Sequence, residues 1–513
     1  MDKLFKIFVC ILFIVVATLS CSNSDDNGID NPNNNNEIVP EGVDTYGYIK
    51  DTDGNPISGV VVSDGFNFSV TDNTGLYKFN RDKSSRHVRY SLPSEYEAEL
   101  HSSYKLPQLY AKLQSNTAKY NFTLRKLSAP ETRFDLITIG DPQVKTTDHI
   151  ERFRVEAVAD IHEYVANADV PCYGITLGDH VGNKWDLFSN LILTMRSDVA
   201  GLSIFPTVGN HDYEFPKSTE VESLAQYENY FGPTDYSFNR GNAHIVSVNN
   251  VLHTYTASDQ YDGGLSDARF EWLKKDLSYV SKDKMVILCL HIPIRNSNHK
   301  YYSEVLDLLS EFKSASIMSA HTHTNYKYIH TINGKEIVEH VTGTTCGAWW
   351  TSTVCSEGTP NGFGVFQIDG AEIKNWIYKA VRHDADFQIR LYRASEIFTG
   401  GAAVSYQFAY KDNGQIIANI WNWDEKWTVD VYENDIKTGS MTRFTGADAW
   451  VGAYHVGVLN TSYSSNTNHL FYYTLKNPDA VVKVVATDRF GTEYEQSVFT
   501  DPTSHPGVFH SDY

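Results

Sequence analysis

Five apolar segments in the middle of the chain each end in side chains that can bind a metal ion. Helix-like stretches separate the first three segments, FDLITIG, YGITLG and IFPTVG, which gives the order βαβαβ. This alternation predicts an α/β domain in which buried sheets are layered with helices. Because ligands in open α/β sheets gather beyond the carboxyl ends of the strands, we expect the polar residues that follow these segments to meet at one edge. They are Asp141, Gln143, Asp179, Asn210, His211, Asp212, His291, His321 and His323.

The residue types at this edge indicate a metal centre. Carboxylate, imidazole and amide oxygen are ligands for divalent ions of intermediate hardness, such as Mn, Fe, Zn or Ni. Seven candidate ligands are too many for one tetrahedral zinc ion and suit a pair of ions bridged by one carboxylate. Such a pair binds phosphate oxygens and deprotonates a water molecule near neutral pH. A lone Gly-Asp is usually a turn, and a lone His at a strand end is usually structural, but their ordered combination is rare by chance.

The order D-x-Q, GD, GNHD, a strand-ending His and HTH resembles the calcineurin-like metallophosphoesterase superfamily. The signature of that superfamily is D-x-H, GD, GNHD or GNHE, a lone His and GHTH, and the resemblance covers residues 133–350. It implies two divalent metal ions bridged by Asp179, with three further ligands for each ion. Those ligands are Asp141, Gln143 and His323 for one ion, and Asn210, His291 and His321 for the other.

The resemblance also implies roles for two residues that are not ligands. His211 matches the histidine that contacts the phosphate and protonates the leaving oxygen, and Asp212 is expected to orient its ring. Two positions depart from the signature: Gln143 replaces a histidine and Ala320 replaces a glycine. An amide oxygen still coordinates, but as a neutral and weaker ligand it either lowers the affinity for that ion or favours a harder one. His180 is expected either to reach the substrate phosphate or to face solvent.

Several aromatic residues and cysteines near this region are candidates for a role in the site or in the core. The aromatic residues either line the pocket and stack on an organic leaving group, or pack in the core; they are Tyr213, Phe215, Trp349 and Trp350. Cys346 and Cys355 could form a disulfide outside the cytoplasm. Cys172 and Cys289 lie in apolar strands and are expected to be inert buried thiols.

Strand-like sequence flanks the predicted catalytic domain, residues 133–370, on both sides. Residues 44–126 contain short strands with Gly-containing turns, which predicts a β-sandwich. Their pattern G-x-I-x-D-x-x-G-x-P-I-x-G-V resembles transthyretin-like or carboxypeptidase-regulatory-like modules. Residues 376–513 predict a second β-rich domain. Its tryptophans are either a binding platform or core residues; they are Trp421, Trp423 and Trp427.

The N-terminus predicts export. In residues 1–20, two lysines precede an apolar run of about 14 residues, which is shorter than the roughly 20 that span a bilayer and fits a signal peptide. The segment TLSC resembles a bacterial lipobox, which implies that Cys21 is lipidated and anchors the protein to the outer membrane, on the periplasmic or cell-surface side. A plain secretory signal is the alternative. Residues 21–43 are almost free of apolar side chains and predict a disordered tether.

Composition argues against two classes of protein. The chain has 43 Lys and Arg against 63 Asp and Glu, a formal net charge of −20, so no surface for binding nucleic acid through phosphates is evident unless a local basic face is hidden in the total. Six cysteines in 513 residues, with no CxxC pair, exclude a disulfide scaffold and a zinc ribbon.

The sequence therefore predicts an exported, metal-dependent phosphoesterase. Its substrate would be a phosphate mono- or diester, attacked by water that two metal ions activate. The alternative is a non-catalytic surface protein whose β-modules hold a glycan or a protein partner and whose central domain is degenerate. That alternative predicts missing ligands, whereas only Gln143 departs from the signature.

If Cys21 carries the anchor, Cys21→Ala moves the protein from the membrane fraction to the soluble fraction. One acyl chain alone holds a protein to a membrane only weakly, so stable anchoring reflects the several chains of a lipoprotein. Fractionation followed by immunoblotting measures the shift. An unchanged distribution would favour a plain signal peptide or attachment through another part of the chain.

Overall fold

The computed structural model describes residues 40–257, 259–295, 299–400, 404–408, 412 and 414–507. The predicted signal peptide, Cys21 and most of the predicted tether lie outside these residues. Within the described ranges, no helix has both the length and the apolar character to cross a membrane.

Eight strands near the N-terminus form two four-stranded sheets whose inner faces share one core. In the strand Leu76–Phe79, Tyr77 and Phe79 are buried and Lys78 is exposed, the alternation of a sheet with one covered face. Ile49 and Val62, from different sheets, are fully buried in the same cluster. In spatial order, one sheet is Leu76–Phe79, Thr45–Asp51, Phe122–Lys126 and Tyr96–Glu97, and the other is Phe68–Val70, Val61–Ser63, His87–Tyr90 and Tyr110–Lys112.

The central part of the chain contains two larger sheets. The first has three parallel strands and an antiparallel pair, in the spatial order Ser203–Thr207, Cys172–Leu177, Arg133–Ile139, Gly362–Asp369 and Glu372–Ala380. The second has four parallel strands between two antiparallel edges, in the order Tyr236–Arg240, Ala243–Ser247, Met285–Cys289, Ser314–Ser319, Lys335–Val341 and Tyr326–Ile332. A hairpin of Val251–His253 and Tyr261–Gly263 lies beyond the second sheet's strand Ala243–Ser247 in the chain.

Helices cover the outer faces of these two sheets, while the inner faces pack on each other. Phe205 of the first sheet stacks on Phe238 of the second, with ring centroids 3.9 Å apart. On the outer faces, Ile137 packs with Phe153 and Leu288 packs with Leu273. The helices are Thr147–Phe153, Ala159–Asn167, Phe188–Thr194, Ser197–Ala200, Glu220–Ser223, Ala225–Phe231, Asp267–Leu277 and Tyr302–Ser310, with a π-helical turn at Arg154–Val158 and 3-10 turns at Trp185–Leu187 and Asn210–Asp212. This layered α/β arrangement confirms the predicted fold class.

The C-terminal part is again built from two four-stranded sheets with a common core. Ile416 and Val431 come from different sheets and are fully buried together. The sheets are Arg390–Arg393, Gln415–Asn419, Asn466–Thr474 and Thr442–Ala447, and Ile436–Ser440, Thr428–Glu433, Val482–Thr487 and Glu493–Gln496. A hairpin of Phe398–Gly400 and Val404–Tyr406, a helix at Ala449–Gly452 and a π-helical turn at Ala453–Val458 complete the described elements.

The packing bears on two expectations about this region. The strand Glu372–Ala380 crosses the boundary expected between residues 370 and 376, where it pairs with Gly362–Asp369 and completes the first central sheet. Of the three tryptophans, Trp421 is fully buried and Trp427 is 7% exposed. They are therefore core residues and not a binding platform, while Trp423 lies half-buried beneath Arg443.

Candidate metal centre

The polar residues that follow the central strands lie close together at one edge of the two sheets. Arg133–Ile139 and Cys172–Leu177 are parallel neighbours, so Asp141 and Asp179 leave the first sheet side by side. The other predicted ligands follow three more strands: Asn210 follows Ser203–Thr207, His291 follows Met285–Cys289, and His321 and His323 follow Ser314–Ser319. The structure thus brings together all seven residues that were predicted as ligands.

The backbone at this edge is strained. Five of the seven residues have a positive φ, the left-handed conformation that costs a non-glycine residue on the order of 1–3 kcal/mol. The values are 43° for Asp141, 39° for Gln143, 53° for Asp179, 64° for His321 and 55° for His323. Strain persists where the surrounding structure over-determines it, and it clusters at functional sites.

The ring of His291 lies at the centre of one half of the site. Its Nδ1 donates to the backbone oxygen of Leu177 at 2.7 Å, so its Nε2 points the other way. That Nε2 lies 2.9 Å from Asn210 Oδ1, 3.1 Å from His321 Nδ1 and 3.3 Å from Asp179 Oδ1. One N–H on Nε2 points well at only one of these three neighbouring atoms, whereas a cation among them would be held by all of them. Ligand atoms of Asp179, His291 and His321 lie within 4.8 Å of one another.

The other half of the site contains buried acceptors without hydrogen-bond partners. Asp141 is fully buried, and its Oδ2 accepts from the His321 N–H at 3.1 Å, but its Oδ1 has no hydrogen-bond partner. Gln143 Oε1 and His323 Nδ1 are also buried and unpartnered, and His323 Nε2 lies 3.7 Å from Asp141 Oδ1. Buried polar atoms are otherwise almost always paired, so these atoms are suited to binding a cation.

Asp179 connects the two halves. Its Oδ1 accepts from the His211 N–H at 2.9 Å and faces His291, while its Oδ2 accepts from Gln143 Nε2 at 3.1 Å. One carboxylate with an oxygen toward each group is the arrangement needed to bridge two ions.

Burial sets the charge state of these side chains. It raises the pKa of Asp141 well above its usual value, an effect that the nearby Asp179 reinforces. Burial alone would raise the pKa of Asp179 too, but His291 and other histidines outweigh it and the pKa falls. Burial lowers the pKa values of His321 and His323 to about 3, so their rings are neutral and their lone pairs are available. The donor set of carboxylate, amide and neutral imidazole fits divalent ions of intermediate hardness.

Asn183, which the sequence analysis missed, orients His211. The Asn183 Oδ1 lies 2.7 Å from His211 Nδ1 and accepts a hydrogen bond from it. Trp185 adds a hydrogen bond from its Nε1 to the His211 carbonyl oxygen, at 3.1 Å. Asn183 lies four positions after Asp179 in the turn GDHVGN and has a φ of 59°, so a polar residue in that glycine-containing turn was the available signal.

The expected pairing of Asp212 with His211 is wrong, and so are both expectations for His180. Asp212 and His180 are fully buried against each other, with Asp212 Oδ2 2.9 Å from His180 Nδ1. Asp212 also accepts from the backbone N–H groups of His180 and Gly209, each at 2.9 Å. His180 Nε2 lies 2.8 Å from Thr176 Oγ1. The pair therefore holds the GD and GNHD turns together beneath the site, and neither side chain reaches substrate or solvent.

The aromatic residues divide between core and site. Trp349 stacks on His323 with centroids 4.4 Å apart, and Tyr463, from the loop before the strand Asn466–Thr474, packs at a tilt against Trp349 with centroids 4.3 Å apart. Trp350 is 4% exposed and donates to the Pro142 carbonyl oxygen at 2.9 Å, while Tyr213 is fully buried.

Two further aromatic residues and four cysteines remain to be placed. Phe215 packs edge-on against Trp185, with centroids 5.0 Å apart. Tyr261, also missed from the sequence, places its hydroxyl 3.4 Å from His321 Nε2. The four cysteines considered above are all free thiols, so Cys346 and Cys355 form no disulfide. Cys172 is only partly buried, whereas Cys289, Cys346 and Cys355 are buried.

Three family models match the chain in succession. They are the N terminal of Calcineurin-like phosphoesterase at residues 44–127, Calcineurin-like phosphoesterase at 136–325, and the C terminal of Calcineurin-like phosphoesterase at 339–494. The chain therefore belongs to the calcineurin-like phosphoesterase superfamily, with the N- and C-terminal parts that accompany its catalytic domain.

Individual relatives are distant. A phosphoenolpyruvate phosphatase of onion (Allium cepa) is 29% identical over 146 residues, which cover 26% of this chain and 28% of that protein. The chain thus spans little more than a quarter of that relative's length. Similar solved structures include a purple acid phosphatase of yellow lupin (Lupinus luteus), with 13% identity, a TM-score of 0.36, and 63% and 67% of the two chains covered. Another is a 5'-nucleotidase of Candida albicans, with 10% identity, a TM-score of 0.31, and 46% and 48% covered.

The hydrogen bonds of Asn183 to His211 and of Asp212 to His180 predict different effects for substitutions at Asn183 and Asp212. Asn183→Ala frees the His211 ring and lowers kcat on a phosphate ester roughly tenfold to hundredfold, because a misplaced reacting group costs that much. The free energy of unfolding changes by less than about 1 kcal/mol, because Asn183 is only half-buried.

Asp212→Ala instead lowers the free energy of unfolding by about 2–5 kcal/mol, since His180 and two buried N–H groups lose their acceptor. Denaturant titration and steady-state kinetics on both variants measure the contrast. If Asp212→Ala lost activity at unchanged stability and Asn183→Ala lost nothing, Asp212 would orient His211 after all.

Proposed function

We propose that the protein hydrolyses a phosphate mono- or diester with the help of two divalent metal ions. The observation that carries this proposal is the buried cluster of possible ligand atoms at the strand ends, three of which have no hydrogen-bond partner. Membership of the calcineurin-like phosphoesterase superfamily supports it. The ions could be Mn, Fe, Zn or Ni, because the ligand atoms suit each of these metals.

The residues divide into two ligand sets that share Asp179. Asp141, Gln143 and His323 would hold one ion with it, and Asn210, His291 and His321 the other; these are the sets given above. When bound, the ions supply positive charge that stabilises phosphate oxygens and lowers the pKa of water. The backbone oxygen of Leu177 fixes the ring of His291 by accepting a hydrogen bond from its Nδ1, which leaves Nε2 as the ligand atom. Gln143 provides a neutral ligand where the superfamily signature has an imidazole.

His211 would act on the leaving oxygen. Its backbone N–H donates to Asp179 and its Nδ1 donates to Asn183, so the position of the ring is fixed relative to the ligand that joins the two halves. With Nδ1 engaged, Nε2 is the atom that exchanges a proton with the substrate. A histidine held in this way serves as a general acid when protonated and as a hydrogen-bond donor to phosphate.

The substrate is best sought among esters with a planar or aromatic leaving group. Trp349 lies over His323 and is half-buried, and Tyr261 reaches the neighbouring ligand His321. Phosphoenolpyruvate, nucleoside 5'-monophosphates and a bis-nitrophenyl diester form a first panel, chosen partly from the names of the relatives. The rival function, a binding protein with a degenerate centre, requires missing donors, whereas the complete set lies together.

We further propose a place and an organisation for the whole chain. The lipobox-like TLSC supports export and anchoring through Cys21, on the periplasmic or cell-surface side of a bacterial outer membrane. The sheets support an N-terminal β-sandwich over residues 44–126, a catalytic domain from 133 through the strand Glu372–Ala380, and a C-terminal β-rich domain after it.

The role of His211 predicts a dependence on the leaving group. His211→Ala lowers kcat roughly 10²–10⁴-fold on phenyl phosphate, because the departing oxygen then lacks a proton donor. The loss is smaller on p-nitrophenyl phosphate, whose leaving group is already acidic. The exposed His162→Ala serves as the matched control and leaves both rates unchanged.

Metal content of His211→Ala should equal that of the wild type, because His211 is outside both ligand sets. Equal losses on both esters would show a purely electrostatic role at the phosphate. Full activity on both would remove His211 from the mechanism. An unmodified protein that hydrolyses no member of the panel after metal loading would contradict the proposed function itself.

A further inference from the structure

A second cavity lies away from the metal centre, between the N-terminal sheets and the catalytic domain. Its volume is about 230 Å³. The loop around Gly65 and the segment Ser84–Arg89 form one wall, and the helices Ala225–Phe231 and Asp267–Leu277 contribute to the other. None of the seven predicted ligands lines it, and neither does His211.

Three arginines face this cavity, and two of them are neutralised by carboxylates. Arg86 forms a two-pronged ion pair with Glu228. Arg269 binds Glu220 at 2.8 Å and Asp235 at 3.3 Å. The remaining carboxylate of the lining is Asp64, which accepts backbone N–H groups of its own turn and of Asp82. Every carboxylate around the cavity therefore already has donors.

Arg89, the third arginine, has no such partner. Among the described residues, its guanidinium makes neither a hydrogen bond nor an ion pair, and its Nε is buried. It lies between the Trp272 ring, 5.2 Å from its Cζ, and Gly65, where an added methyl group would come within 3.2 Å of it. Burial lowers the pKa of Arg89. The hydroxyl of Ser85, in the same wall, is also buried and unpartnered.

An unpaired guanidinium at the wall of a cavity is costly unless an anion joins it. A buried charge without a partner destabilises a protein. The lining has four carboxylates and three guanidiniums, a net charge of −1, so a ligand with one negative charge meets less repulsion than a ligand with two. Phe66, Val221 and Trp272 add apolar surface for the body of a ligand.

We infer that this cavity is a binding site for a small organic monoanion, whose carboxylate pairs with the guanidinium of Arg89 and whose body packs on Trp272. The N-terminal sheets then supply a binding residue and do more than support the catalytic domain. This site is independent of the proposed phosphoesterase reaction, since it shares no residue with the metal centre.

Calorimetry and thermal unfolding with benzoate, at constant ionic strength, test the inference on the whole protein. Benzoate should bind saturably and raise Tm, and inorganic phosphate should do so much less. Asp179→Asn should retain the response, which separates this site from the metal centre. Arg125→Met, at an exposed arginine of the same module, serves as the matched control and also retains it.

Arg89→Met should abolish benzoate binding and, without ligand, raise Tm, because an unpaired charge has been removed. Arg89→Lys should fold normally and weaken binding roughly tenfold, since it keeps the charge but loses the planar fork. Binding that survives Arg89→Met would overturn the inference. So would the absence of any saturable benzoate response in the wild type, or a response to phosphate stronger than to benzoate.

Discussion

The carboxylate of Asp179 lies between two groups of buried side chains that could bind metal ions, and the geometry of the site follows from that position. The turn that carries Asp179 must approach the turn that carries Asn210 closely. Gly178 has a φ of 91°, and a side chain there would meet Gly209 at 2.8 Å and His291 at 2.5 Å. A side chain on Gly209 would lie 2.2 Å from Asp179. The glycines of GD and GNHD are therefore required by contact between two turns, and the Asp212–His180 pair locks that contact from below.

The sequence was sufficient to predict that these side chains gather at one edge, because their positions depend on strand order. Parallel strands deliver their carboxyl-terminal residues to one edge, so Asp141, Asp179 and His291 could be grouped without knowing any loop. Side-chain direction was not predictable in the same way. His211 and Asp212 are adjacent, but the short 3-10 turn over Asn210–Asp212 sends one toward Asn183 and the other toward His180.

Contacts between residues far apart in the sequence could not be predicted from it. The strand Glu372–Ala380 has the same alternating texture as the C-terminal domain, and only its pairing with Gly362–Asp369 assigns it to the catalytic sheet. Tyr463 is far from the motifs in sequence, yet it supports Trp349 and through it the ring of His323. The C-terminal part of the chain thus contributes a loop residue to the surroundings of the site.

The central claim is that the donor set requires two cations joined by Asp179, and metal content measures this directly. Elemental analysis of protein purified without chelators, or reloaded after chelation, should approach two divalent ions per chain. Asp179→Asn should lose both, because a neutral amide with one oxygen does not bridge two cations, whereas the exposed Asp186→Asn should keep both. A single tightly held ion that Asp179→Asn leaves in place would contradict the account.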